Sequence, residues 1–157
     1  MNLQEEILKI RNEMLDEFDK RVEALKAEEQ EFPQEGDSFY SISETGNIEG
    51  GMIWGGYPVD MNRMAIGNVF RTEEQAEFAV EKLKVEAELR KFSKPFEYGE
   101  NCTEFYYEHE FGRIIFLTLT ASQTQGAIYF ESKEKAQQAI ESVGIDRIKK
   151  YIFGVEG

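Results

Sequence analysis

Between residues 2 and 29 the apolar positions form one stripe: Leu3, Ile7, Ile10, Met14, Phe18, Val22 and Leu25, at spacings of 4, 3, 4, 4, 4 and 3. That period is helical and nearly heptad, with a stutter around Met14, Phe18 and Val22. Leu8 and Leu15 widen one edge, the other positions are mostly charged or polar, and neither Gly nor Pro interrupts the run. Such a stripe has two uses. It lies on its own domain, or it pairs with another chain, most simply a second copy in a homodimer. The sequence leaves both open. The segment 1–30 is therefore expected to be an amphipathic helix able to oligomerise, joined to the rest by a wet connector, 27–36, that Pro33 and Gly36 keep irregular.

Beyond the connector the pattern changes to short alternating runs. Phe39 to Ser43 predicts a strand, Glu44 to Asn47 a turn, and Ile48 to Trp54 a glycine-rich strand. Residues 55–60 read as a loop and Ala65 to Phe70 as a short strand. Thr72 then caps a helix reaching about Phe92, with Gln75 completing a capping box. The face Ala76, Ala79, Val80, Leu83 and Ala87 is expected to be buried.

The same plan follows again. Thr103 to Phe111 and Arg113 to Thr120 predict strands around Gly112, Ala127 to Phe130 a short strand, and Ser132 a helix cap. Ala136, Ala139, Ile140 and Val143 would face inward, and Gly144 would end the helix. Asp146 would cap a final short helix burying Ile148 and Ile152.

The two halves also match residue by residue. The segment from Phe70 to Glu81 aligns with that from Phe130 to Glu141 at a shift of 60 residues. Upstream, Phe39-Tyr40 and Gly46-x-Ile48 align with Phe105-Tyr106 and Gly112-x-Ile114 at a shift of 66. The expectation is an α+β fold: a long N-terminal helix, then a duplicated ββ(β)α unit over 36–93 and 97–157, with antiparallel sheets and helices packed on one face. From the turn glycine to the pre-helix Phe there are 24 residues in the first unit and 18 in the second. The excess lies around Trp54 to Met61. Insertions of this kind suit contact surfaces, so Trp54 and Tyr57 are candidate binding residues, against the plainer reading of local packing around a longer turn.

Composition narrows the function. The chain has 157 residues, enough for one sizeable core. Its 31 acidic and 18 basic residues give a net charge of −13. That opposes direct binding to a phosphate backbone. No run is long and apolar enough for a membrane span, and the acids near the start do not suit a signal peptide. With one cysteine, Cys102, no internal disulfide forms, and a cytoplasmic setting is expected.

Chemistry-bearing motifs are scarce. His109 and Cys102 are single residues and serve zinc or a nucleophilic pair poorly. No glycine-rich phosphate loop is present, and no cofactor is expected. Among the acids one pattern stands out. Glu104, Tyr106, Glu108 and Glu110 share one strand face at intervals of about 6.7 Å, comparable with the phosphate spacing of DNA. Glu97, Glu100 and Glu131 would extend that patch. A face of this kind would suit a basic protein. The plainer reading is a solvated edge strand protected from aggregation by its charge.

The pieces Ile66-Gly67-Asn68-Val69-Phe70, Thr72-Glu73-Glu74, Val80-Glu81-Lys82-Leu83-Lys84-Val85 and Asp146 to Glu156, with Gly36-Asp37-x-Phe39-Tyr40, resemble small acidic proteins of phages and prophages of Gram-positive bacteria. The resemblance covers most of residues 36–156 and carries no catalytic residue. Ser41-Ile42-Ser43 departs from the aromatic-rich strands of many relatives. It implies a host cytoplasm and a basic nuclease or defence protein as partner. The leading expectation is thus a non-enzymatic binding or inhibitor protein with an acidic surface. A structural protein assembling through the N-terminal helix and a small carboxylate-dependent enzyme are the alternatives.

Overall fold

The computed structural model describes residues 2–156, apart from the Glu28 side chain. The outermost residues of the expected segments, Met1 and Gly157, lie outside the described residues. The α+β class is as expected.

Helix α1 runs from Leu3 to Glu29. Asn2 accepts the Glu5 N–H at 2.9 Å, and Glu5 accepts the Asn2 N–H at 3.0 Å, which satisfies two donors the helix cannot pair internally. At its far end Arg71 donates to the carbonyls of Ala27 and Gln30, at 3.1 and 3.2 Å, and lies over the Phe32 ring. A cation thus sits where the helix dipole favours one.

The first hairpin joins β1 (Ser38–Ile42) to β2 (Ile48–Ile53), antiparallel, with an irregularity between Phe39 and Ser41. Phe39 is fully buried, and Trp54 packs edge-on against it at 5.9 Å. Gly50 lies under the Tyr40 ring, where a Cβ would come within 2.6 Å of Cε1. Side-chain-free backbone is what permits that approach.

The segment expected to be a loop and then a strand contains a helix instead, α2 (Pro58–Ala65). Pro58 opens it and Met61, Arg63, Met64 and Ala65 favour it. Asp60 accepts the N–H groups of Gly55 and Tyr57, at 3.1 and 3.3 Å, drawing the preceding loop onto the helix start. Gly67, with φ near 72°, ends the turn. Of the expected strand only Phe70 pairs, exchanging both backbone hydrogen bonds with Tyr40 at 2.9 Å.

Thr72 then caps α3 (Glu73–Arg90) by accepting the Gln75 N–H. The box is not reciprocal: Gln75 accepts from Arg71 N–H rather than Thr72. The buried face also differs from expectation. Ala76, Val80, Val85 and Leu89 are buried, whereas Leu83 is 57% exposed and Ala87 is exposed. The cause is that α3 serves two neighbours. Its first turns cover the first hairpin; its last turns rotate to meet the second unit.

That unit comprises β3 (Cys102–Glu108), β4 (Arg113–Leu119), α4 (Lys133–Val143) and α5 (Ile145–Tyr151). β3 and β4 pair antiparallel without a bulge. Phe130 exchanges both backbone bonds with Thr103, and Ser132 caps α4 through the Lys135 N–H. As in the first unit, the expected third strand is reduced to isolated pairings, here Tyr129 with Lys94 and Phe130 with Thr103. α5 begins after Gly144, with Asp146 in its first turn rather than at its cap. Val85, Leu89, Phe130, Ala136, Ala139, Val143 and Ile148 form the main core.

The units therefore share one plan, but their register differs from the sequence alignment. Tyr40 pairs Phe70 and Thr103 pairs Phe130, so the strands correspond at a shift of 63 residues while the turn glycines correspond at 66. The second hairpin is three residues longer between its pairing point and its turn.

Candidate functional site

Two surfaces gather the residues singled out by sequence. The first is the apolar stripe of α1. Leu3, Ile7, Ile10, Met14, Phe18 and Leu25 are each more than half exposed, Phe18 at 63%, and Val22 is partly covered. Leu8 and Leu15 beside them are also exposed. The structure thus keeps all seven on one helix and buries none of them.

The acidic row on β3 does not form. Glu104 is buried, 5% exposed. Its Oε1 accepts the Thr124 hydroxyl at 2.8 Å, because the chain at 121–127 folds over that end of the strand, and its Oε2 has no partner. Glu108 is bonded to Arg113 at 2.7 Å, and Glu110 stands exposed in the turn. Glu100 pairs with Lys94 at 3.2 Å; this bond raises the affinity of the Lys94 amine for its proton. Glu97 and Glu131 are exposed on separate turns. The alternation of the strand placed the even residues on one face; it could not show which part of that face a loop would cover.

Trp54 is 8% exposed and belongs to the core of the first unit. Tyr57 is exposed and lies over Gly55. Cys102 is buried at the start of β3, and His109 is exposed just beyond its end, seven steps along the strand or about 23 Å away. Among the described residues no three His, Cys, Asp or Glu are grouped to hold a metal ion, and no helix is long and apolar enough to cross a membrane. A cleft of about 630 Å³ between the first hairpin, α3 and α5 carries Glu74, Glu77 and Glu81, the last bonded to Lys84 at 2.8 Å.

Sequence reading missed three residues that organise these surfaces. Asp60 is a buried carboxylate holding a loop, and Arg71 grips α1. Asn68 closes the edge of β1: its Oδ1 accepts the Ile42 N–H at 2.6 Å and its Nδ2 donates to the Ile42 carbonyl at 2.7 Å. The Gly67-Asn68 pair signals a turn, but nothing in it foretells an amide standing in for a strand. No known protein family, curated protein or solved structure matches this chain.

Proposed function

We propose that this chain is a non-enzymatic binding protein that pairs through α1 with a second copy and offers its acidic body to a basic protein partner. The bare stripe of α1 carries the reading. Apolar side chains in such number are costly in water, and a helix about 40 Å long holding them clear of the body has the form of a pairing element. The exposed area points the same way. The chain shows 11452 Å² to solvent, where a globule of 18.2 kDa shows about 8,100 Å².

A second copy suits the helix. The stripe averages about 3.67 residues per turn from Leu3 to Leu25, just above the straight-helix value, so two such helices pair with a slight right-handed supercoil. With Ile7 and Met14 at a and Leu3 and Ile10 at d, Glu6 and Glu13 fall at g and Arg11 at e. A parallel pair brings Glu6 of one helix against Arg11 of the other. The net charge of −13 then supports a basic partner through faster encounter. The resemblance to phage and prophage proteins makes nucleic-acid-handling or defence proteins of a Gram-positive host the first partners to try.

Light scattering after size-exclusion chromatography tests the assembly on the full chain and on a 30–157 truncation. The expected result is a dimer mass for the first and a monomer mass for the second. Monomer masses for both remove the proposal.

A further inference from the structure

The two units treat one strand edge in opposite ways. In each, the pre-helix Phe pairs with the first strand of the hairpin, and the next outward-facing residue lies two positions on. In the first unit that residue is Ile42, whose N–H and C=O are both taken by the Asn68 amide. In the second it is Phe105, since Thr103 gives its outward groups to Phe130. The residue at the position of Asn68 is Ile128, which packs against the core cluster and has no amide to offer. Alternation along β3 directs the Phe105 and Tyr107 backbone groups away from β4. Among the described residues no hydrogen bond reaches the Phe105 N–H or C=O from that side.

This open edge backs a cleft of about 240 Å³ lined by Leu89, Phe105, Ile128 and Phe153, together with Glu104 and the Arg90–Glu86 ion pair, closed at 3.4 Å. Glu104 is buried there with an oxygen that lacks a partner. A buried carboxylate oxygen without a donor is costly. An uncapped edge is a template for another strand.

We infer that the β3 edge at Phe105 and Tyr107 receives an extended peptide from a partner protein, one carrying a lysine or arginine toward Glu104. The peptide backbone takes up the free N–H and C=O groups, as in strand addition. The unpartnered Glu104 oxygen selects a basic side chain, and the apolar walls cover its neighbours. The same edge of a second copy is a poor occupant: it would bring Glu104 and Glu108 of the two chains together, and like charges across strands repel. This surface is separate from the α1 stripe and stands whether or not α1 pairs.

Amide hydrogen exchange on the full chain tests the edge first. The Ile42 N–H should exchange slowly and the Phe105 N–H fast. A blocked hexapeptide of alternating valine and lysine should slow Phe105 and Tyr107 exchange and shift their resonances. Its valine–glutamate counterpart should do neither. Ile128→Asn, which supplies the missing amide, should weaken binding at least tenfold, and Glu104→Gln should weaken it several-fold. Asn68→Ile should speed Ile42 exchange, which keeps the comparison open if Ile128→Asn fails to fold. A Phe105 N–H already protected in the free chain overturns the inference. So does lysine-peptide binding that leaves Phe105 unmoved, or equal binding of both peptides.

Discussion

Arg147 and Glu88 meet fork to fork: Nη1 donates to Oε2 and Nη2 to Oε1, each at 3.0 Å. The pair ties α5 to α3 across 59 residues of chain. The Arg147 guanidinium holds the Glu88 carboxyl below the usual carboxylate range, chiefly by hydrogen bonding, while Glu88 raises Arg147. Both side chains are more than a third exposed, so water screens the gain. Arg147→Ala should cost about 1 kcal/mol or less. Because the folded carboxyl is the stronger acid, its contribution is complete above the ordinary value and disappears as pH falls through the lowered one. Urea midpoints of the native chain and Arg147→Ala should differ at neutral pH and converge once the pH has fallen below the lowered Glu88 value. A gap that persists in acid contradicts this account.

Phe18 stands outside the core, so altering it separates assembly from folding. Ile10→Glu with Phe18→Glu should lower the light-scattering mass to that of one chain. The thermal transition of the body should stay within a few degrees of the native one. A preserved dimer mass would show that the stripe is not the pairing surface.

Asp60 holds two backbone donors with one oxygen. Asp60→Ala should cost about 1–3 kcal/mol through the donors left unpaired. Faster exchange of the Gly55 and Tyr57 amides should accompany the loss. Asn at this position keeps an acceptor and should recover part of it.

Gly50 gives the Tyr40 ring its resting place. Gly50→Val should destabilise the first hairpin by about 1–3 kcal/mol, because the ring must move. Tyr40→Ser in the same chain should relieve much of that cost, and a double-mutant cycle would read the coupling. Strictly additive effects would mean that ring and glycine do not interact.

Local signals in the chain were legible where one element decides its own form. Thr72 and Ser132 mark helix starts because a cap needs only its following turn. The repeat was legible because Phe70 and Phe130 occupy the same place in both units. What could not be read depends on meetings between distant segments. The buried face of α3 rotates from Val80 to Val85 because different units lie against its two ends. Glu104 is buried because the chain near Thr124 returns over it. α2 was hidden because its apolar residues, Met61 and Met64, face outward and its buried one is Asp60, the reverse of the usual amphipathic pattern. The bare stripe of α1 was visible as a pattern, but a single sequence holds no sign of whether its own body would cover it.

The sharing of α3 makes the two sister units inseparable. A fragment cut before β3 would bare Val85 and Leu89, and a fragment beginning there would leave Phe130 and Ile148 without their lid. The shared helix makes one cooperative unit of the two: heat or urea should melt both hairpins in one step.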